Sequence, residues 1–365
     1  MNSIHYYINQ AKHLRWKLYQ KLENNLHELR YLFWETTRLC NMNCLHCGSD
    51  CSVDASQPGL PAKIVEKTLA QIADAYDPRN IILVMTGGEP LVRPDLFEIM
   101  TTASKLGFKL GMVTNGYVLD QAMAQRLKDA GVVSIVVSLD GPRIQHDWLR
   151  NRKGSYKRVI NALESLVKVE IDIVEAITCV TPRTFDRLPE IYEIVKATGA
   201  GYWRVFNIFP IGRAKDNDQV LISKEQFRKV VDAIGKIREN AKNEGMCVNL
   251  SEEGFLGWDY ENKVRDTPYF CRAGINIAGI MADGNISACP NLPPWMAQGN
   301  VYQDNFVNVW EKRYDIFRDR SWMAKADCAN CKQFDLCQGN SLHVWDEEKQ
   351  SPSWCHYEIM NSKPE

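Results

Sequence analysis

Ten of the twelve cysteines in this 365-residue chain fall into two groups. Cys40, Cys44, Cys47 and Cys51 lie near the start, and Cys271, Cys289, Cys328, Cys331, Cys337 and Cys355 in the last third. Clustered thiols in a long chain read as metal ligands or catalytic groups before they read as disulfides. Cys40-Asn-Met-Asn-Cys44-Leu-His-Cys47 puts three thiolates on one short loop, which suits an iron–sulfur cluster. A four-iron cube has four corners, so three ligands leave one iron open to a reactant. The competing reading is a zinc knuckle with Cys51 as fourth ligand. Structural zinc sites favour paired CxxC elements, and the gaps here run three, two, three.

The elements that must position these thiols follow a rhythm. Strand-like runs at 32–36, 81–85, 109–113, 133–138, 171–178 and 202–209 alternate with helical patterns at 62–75, 95–106, 120–130, 156–167 and 188–197. That alternation predicts parallel βα units. Six units fall short of a closed eight-stranded barrel, so the expected fold is α/β, a partial (β/α)6 parallel barrel. A helix at 224–243 follows, and 244–267 reads as a linker without clear period. From 268 on, a small cysteine-rich α+β domain is expected, with an Asp283-Gly284 hairpin and a helix at 308–319. Such a thin core gains much of its order from bound metal. Residues 1–30 predict one amphipathic helix, with Leu14, Leu18, Leu22 and Leu26, then Leu29 three residues on, as the face packed on the domain behind.

Polar and glycine-rich signatures recur after the strands. Gly87-Gly88-Glu89-Pro90 follows the second, Thr114-Asn115-Gly116 the third, and Phe209-Pro210-Ile211-Gly212-Arg213 the sixth. The fourth ends in Ser138-Leu139-Asp140-Gly141. The C-terminal ends of βα strands are where active sites form, so the shared placement predicts one site.

The CxxxCxxC loop and the GGEP sequence together resemble the signatures of radical S-adenosylmethionine (SAM) enzymes. The resemblance implies that Cys40, Cys44 and Cys47 hold a [4Fe–4S] cluster whose open iron chelates SAM. The bound sulfonium is then cleaved to a 5′-deoxyadenosyl radical, which removes hydrogen from a substrate. It further implies that His46 lies near the adenine and that Gly87, Gly88, Glu89 and Pro90 approach the methionine moiety. Glu89 would accept from the ammonium group. Asn115, Ser138 and Arg150 join the cofactor-binding set, with Ser138 and Arg150 at positions that bind the methionine carboxylate. Cys51 as a fourth ligand would exclude SAM, so Cys51, Cys179 and Cys247 are read as bystanders.

The six later cysteines resemble the SPASM domain, which carries auxiliary iron–sulfur clusters in enzymes that modify peptides and proteins. Cys328, Cys331, Cys337 and Cys355 make a full distal set, and Cys271 and Cys289 a partial proximal one. Where the family has a further cysteine, Ser341 stands here. Ser341 ligates, His343 substitutes, or the proximal cluster is missing or labile. At least one auxiliary cluster is expected. The resemblance implies a peptide or protein substrate, modified by crosslinking, epimerisation or oxidation, and a reductant such as flavodoxin or ferredoxin. The alternatives are a small molecule, such as a sugar alcohol or cofactor precursor, and a non-catalytic electron carrier. The GGEP loop argues against a carrier. The sulfatase-maturing branch has an acidic residue after the second SPASM cysteine, where Pro290 stands here. Thirty residues before Tyr31 are too few for a leader-binding module, so a leader would be bound elsewhere.

Composition narrows the classes. Lys plus Arg number 44 against 45 Asp plus Glu, for a net charge of -1. This balance predicts neither nucleic acid nor an anionic membrane as partner. No apolar run is long enough to span a bilayer, and the first ten residues lack a secretory apolar core, so a cytoplasmic location is expected.

Overall fold

The computed structural model describes residues 3–54, 58–251 and 253–362, with the α1 side chains described from Ala11 on. After α1 (Ser3–Leu26) come β1 (Tyr31–Glu35), α2 (Ala62–Ala75), β2 (Ile82–Thr86), α3 (Leu96–Leu106) and β3 (Lys109–Thr114). Then follow α4 (Gln121–Asp129), β4 (Val132–Ser138), α5 (Arg143–Leu149), α6 (Ser155–Lys168), β5 (Ile173–Val180), α7 (Leu188–Ala197) and β6 (Tyr202–Asn207). α8 (Lys224–Ala241), β7 (Cys247–Leu250) and α9 (Trp258–Val264) complete the barrel region. β8 (Ile277–Ile280), β9 (Asn285–Ser287) and β10 (Gly299–Asn300) open the C-terminal region.

The expected parallel strands pair in chain order from β1 to β6, as a partial barrel requires. Their buried residues, among them Leu32, Trp34, Leu83, Met85, Leu110 and Val205, form the main core. Burial alternates along β1, β2, β5 and β6, with one face in the core and the other half-buried toward the barrel interior, and the mostly apolar runs made the strands legible. Sequence-local signals bound the helices, one at a C-terminus and one at an N-terminus. α3 ends at Gly107, in left-handed conformation (φ 101°), and Ser223 and Gln226 close a capping box on α8.

The sheet continues at both ends beyond the six strands. The segment expected as a linker carries β7, parallel to β6, and α9 beside α8. β7 is four residues long, and only Val248 and Leu250 of it are buried, too little pattern to read as a strand. On the other side β8 pairs parallel with β1, Tyr31 against Ile277, and the β8–β9 hairpin follows. The cysteine-rich region therefore shares one ten-stranded sheet with the barrel. The helix expected over 308–319 is two short helices, Phe306–Lys312 and Asp315–Arg318.

The N-terminal helix forms, but not with the expected face inward. Leu14, Leu18, Leu22 and Leu26 are exposed by 61, 59, 54 and 51%. Trp16, Gln20 and Glu23 are buried instead. Trp16 lies against Tyr19 and Phe270, and Glu23 accepts from Arg272 (3.0 Å) and Asn276 (2.7 Å). One large aromatic surface plus the buried Glu23 carboxylate paired with Arg272 and Asn276 holds this helix in place of the leucine stripe.

Candidate active site

The three cysteines of the first loop hang over the C-terminal ends of the strands, held from three sides. The GGEP turn holds the stem: Gly88 N donates to Thr37 O (2.7 Å) and Glu89 N to Leu39 O (3.0 Å). A Cβ on Gly88 would sit 2.1 Å from Leu39 O, so glycine is required for this approach. Its first service is thus to the cysteine loop. From β6, Gly212 (φ 57°) brings its Cα against the Cys47 and Gly48 carbonyls, where a Cβ would lie 2.4 and 2.5 Å away. Arg213 follows, donating its N to Cys47 O (3.0 Å) and Nε to Cys44 O (2.8 Å). From β3, Asn115 Nδ2 donates to Asn41 Oδ1 (2.8 Å) and reaches Cys40 Sγ at 3.8 Å.

Glu89 is fully buried. Its carboxylate accepts from Thr114 Oγ1 (2.7 Å), Asn115 N (2.8 Å) and Leu91 N (3.1 Å). Burial raises its pKa, and these donors only partly offset that. A carboxylate has about four lone-pair sites, so one is left for an incoming donor. Pro90 is buried and starts the short helical turn that carries Leu91 N.

Arg150, at the end of α5, sets Nε 2.5 Å from Asp140 Oδ2 and Nη1 3.8 Å from Cys44 Sγ. Burial opposes charge on Asp140, but Arg150, with smaller help from His46 and His146, holds the carboxyl down at about 2. Asp140 Oδ1 also accepts from Cys179 N (3.0 Å), and His146 Nδ1 accepts from Asp140 N (3.1 Å). His46 is held neutral, at about 4, by burial and by Arg150. Cys40 is pushed up to about 11, chiefly by burial. Cys47 falls below the ordinary thiol range, because Cys51 hydrogen-bonds its side chain and Arg213 adds positive charge. Ser138 lines the cavity at the end of β4.

These groups open on a cavity of about 820 Å³ between the barrel and the C-terminal region. Residues 290–295, His343 and Trp345 form its far wall. Of its lining residues, His46 Nδ1, Arg38 Nε and Asn207 Oδ1 are buried without a hydrogen-bond partner among the described residues. Buried polar atoms are almost always paired, so orphans beside one cavity fit a site completed by a ligand.

All twelve cysteines are free thiols, so no disulfide competes for them. In the C-terminal region, Cys328, Cys331, Cys337 and Cys355 converge. Burial pushes Cys328 up to about 11, and charge on Cys355 and Cys331 adds to it; Cys337 rises through burial and the same neighbours. Thiols this close, with no cation among the principal influences on Cys328 or Cys337, fit a metal cluster, which supplies positive charge. Cys289 is pushed up to about 12 by burial, with Cys271 contributing. Burial opposes ionisation of Cys271, but the buried Arg320 beside it brings it below the ordinary range. Ser341 Oγ lies 3.3 Å from Tyr269 Oη, and charge on Cys271 reaches that same tyrosine. His343 instead meets the Phe209 ring at 5.0 Å, on the cavity side.

The sequence matches the radical SAM superfamily over residues 34–195 and the SPASM iron–sulfur cluster-binding domain over residues 271–332. The chain belongs to the radical SAM superfamily. It is a radical SAM enzyme whose cofactors are a [4Fe–4S] cluster, SAM and auxiliary iron–sulfur chemistry in the SPASM domain. It is 28% identical to the AdoMet-dependent heme synthase of Methanosarcina barkeri over 336 residues, 85% of this chain and 90% of that protein. It is 27% identical to mycofactocin maturase MftC of Mycolicibacterium smegmatis over 340 residues, 89% and 81% of the two chains. Its fold matches Streptococcus suis SuiB bound to S-adenosylmethionine with a TM-score of 0.71 at 17% identity, covering 92% of this chain and 78% of that one. The match to native anSMEcpe with bound AdoMet has a TM-score of 0.70 at 18% identity, covering 88% and 91%.

Several residues of this radical SAM site escaped the sequence reading. Asp140 and Arg213 stood inside quoted motifs without a role. Cys51 and Cys179, read as bystanders, line the cavity, Cys51 against Cys47 and Cys179 against Asp140. Glu253 lines it too, held by Asn207 N at 3.1 Å. No motif pointed to it, because β7 itself went unread.

Proposed function

We propose that this radical SAM enzyme removes a hydrogen atom from a side chain of a peptide or protein. The single observation behind this is the cavity. Its volume of about 820 Å³ lies in the upper part of the roughly 300–1,000 Å³ range of small-molecule sites. SAM is itself drug-sized and must share the space. What remains suits one inserted side chain, with the rest of a peptide lying outside. When bound, the cluster and SAM supply the 5′-deoxyadenosyl radical that takes the hydrogen.

The chain's own residues divide the remaining tasks. Cys40, Cys44 and Cys47 would hold the cluster. The one unfilled lone-pair site of Glu89 accepts from the ammonium group, while Thr114, Asn115 and Leu91 keep its carboxylate aimed. Arg150, anchored on Asp140, offers the cation for the methionine carboxylate, with Ser138 beside it. His46, kept neutral, presents an uncharged ring to the adenine. Cys328, Cys331, Cys337 and Cys355 would hold an auxiliary cluster.

A second reading has its own support. Likeness to a heme synthase over 85% of the chain favours a small-molecule substrate, a cofactor precursor. Deuterium transfer decides between the two. The reduced, reconstituted enzyme is given SAM and a fully deuterated cell extract, and 5′-deoxyadenosine is analysed for deuterium. A donor that is retained by a small-pore filter and destroyed by protease supports the peptide reading. A small, protease-resistant donor overturns it in favour of the second.

A further inference from the structure

The outward face of α1 is unlike the surface expected for a chain of net charge -1. Leu14, Leu18, Leu22 and Leu26 step by four residues and form an exposed stripe about 18 Å long at 1.5 Å per residue. Helical geometry puts Lys17 and Lys21 on one flank of the stripe and Arg15 and Lys12 on the other. All four cations are exposed. The sole acid in residues 11–26 is Glu23, buried on the opposite face with Arg272 and Asn276. Lys17 pairs with Asp335. Lys12, Arg15 and Lys21 have no carboxylate within ion-pair distance among the described residues.

The leucines do nothing for the attachment of the helix. Trp16, Tyr19 and Glu23 face the protein, and Gln20 Nε2 donates to Leu336 O (3.1 Å). A ridge of leucine with long cations on both flanks has the layout of an interfacial helix. Its aliphatic side chains enter the acyl boundary while lysine and arginine stems reach up to headgroup phosphates. A second copy of the chain is disfavoured, since two such faces would oppose cation to cation. No helix among the described residues is long and apolar enough to cross a membrane, so contact of this kind is peripheral.

We propose that this face of α1 docks the enzyme on an anionic lipid surface. Whole-chain charge does not register it, because four cations on one helix face are a small share of the 44 Lys and Arg residues that the 45 acids balance.

The test is co-sedimentation of the full-length, reconstituted enzyme with vesicles. One set is phosphatidylcholine alone, the other phosphatidylcholine with phosphatidylglycerol. Binding should favour the anionic vesicles by at least about tenfold and weaken with salt, since each basic residue near such a surface adds attraction that salt screens. The pair Leu18→Asp and Leu22→Asp should abolish binding, and Arg15→Glu with Lys21→Glu should do the same. Both variants should keep the wild-type rate of SAM cleavage and the wild-type melting temperature. If the leucine variant does not fold, the charge variant alone decides. No binding to anionic vesicles, equal binding to neutral ones, or binding unaffected by the charge reversal overturns the proposal. So does a dimer in sedimentation velocity that the leucine variant dissociates, which would give the face to a second copy.

Discussion

The molecule builds two thiol sites in opposite ways. The first-loop cysteines are surrounded by groups that tolerate negative charge: Arg150 at 3.8 Å from Cys44, Asn115 at 3.8 Å from Cys40, and the Cys51 side chain on Cys47. The distal four are half-buried and stand among one another, with no cation among the principal influences on Cys328 or Cys337. A site with three thiolates and protein-supplied charge can leave a metal corner open to a reactant. A site with four thiolates and none must take its compensation from the metal. The first is anchored in the strands of a large core; the second sits on short turns and one-turn helices. Reactivity and stability therefore load onto different ends of the chain.

The strongest way to break this comparison is to remove one thiol from each end. Cys44→Ala should abolish SAM cleavage and leave the melting temperature near wild type. Cys337→Ala should destabilise the C-terminal region and leave a cleavable catalytic site. Identical melting of the two variants would show that the sites do not differ in this way.

Iron removal is the next largest perturbation. After chelation, amide exchange should rise across 326–355, where metal supplies the order, and stay low in β1 to β6. Uniform protection along the chain would show that the distal thiols are held without metal.

The buried ion pair of the first site comes third. Arg150→Leu leaves Asp140 buried and unpaired, which costs about 3–5 kcal/mol. The prediction is a marked loss of thermal stability together with loss of SAM binding. Asp140→Asn in the Arg150→Leu background should recover stability without binding, and failure to recover would separate the arginine's effect from its partner.

Glu89→Ala should be milder. It removes a charge-assisted hydrogen bond worth about 1.5–3 kcal/mol, a roughly ten- to hundredfold loss in SAM affinity by calorimetry, with the cluster spectrum unchanged. Unchanged affinity would confine Glu89 to bracing the Thr114–Asn115 turn.

Ser341→Cys is the smallest test. Beside Tyr269 and on the side of Cys271, the new thiol should raise iron content per chain, read by iron assay and Mössbauer spectra. A constant iron count would place the position outside a proximal ligand set.

Much of this was legible without coordinates. The βα rhythm was readable because buried parallel strands are apolar along their length, as β4 is from Ile135 to Val137. The CxxxCxxC loop was readable because ligand spacing is a local property. Arg213 was not, since its bonds to the Cys44 and Cys47 carbonyls join segments far apart in sequence. Glu253 was hidden by a four-residue strand with half its side chains buried.

By itself, the sequence determined which thiols share a loop, which segments become strands and helices, and that the motifs end up on one rim. These follow from short-range spacing and period, which neighbouring residues enforce. Tertiary structure alone decided which face of α1 turns inward, which three donors hold Glu89, and that Cys51 meets Cys47. An apolar stripe states that a face can be buried, but competing contacts decide whether it is. In α1 the Trp16 surface and the Glu23–Arg272 network outcompete four leucines, because packing area and a paired buried charge exist only once both partners are in place.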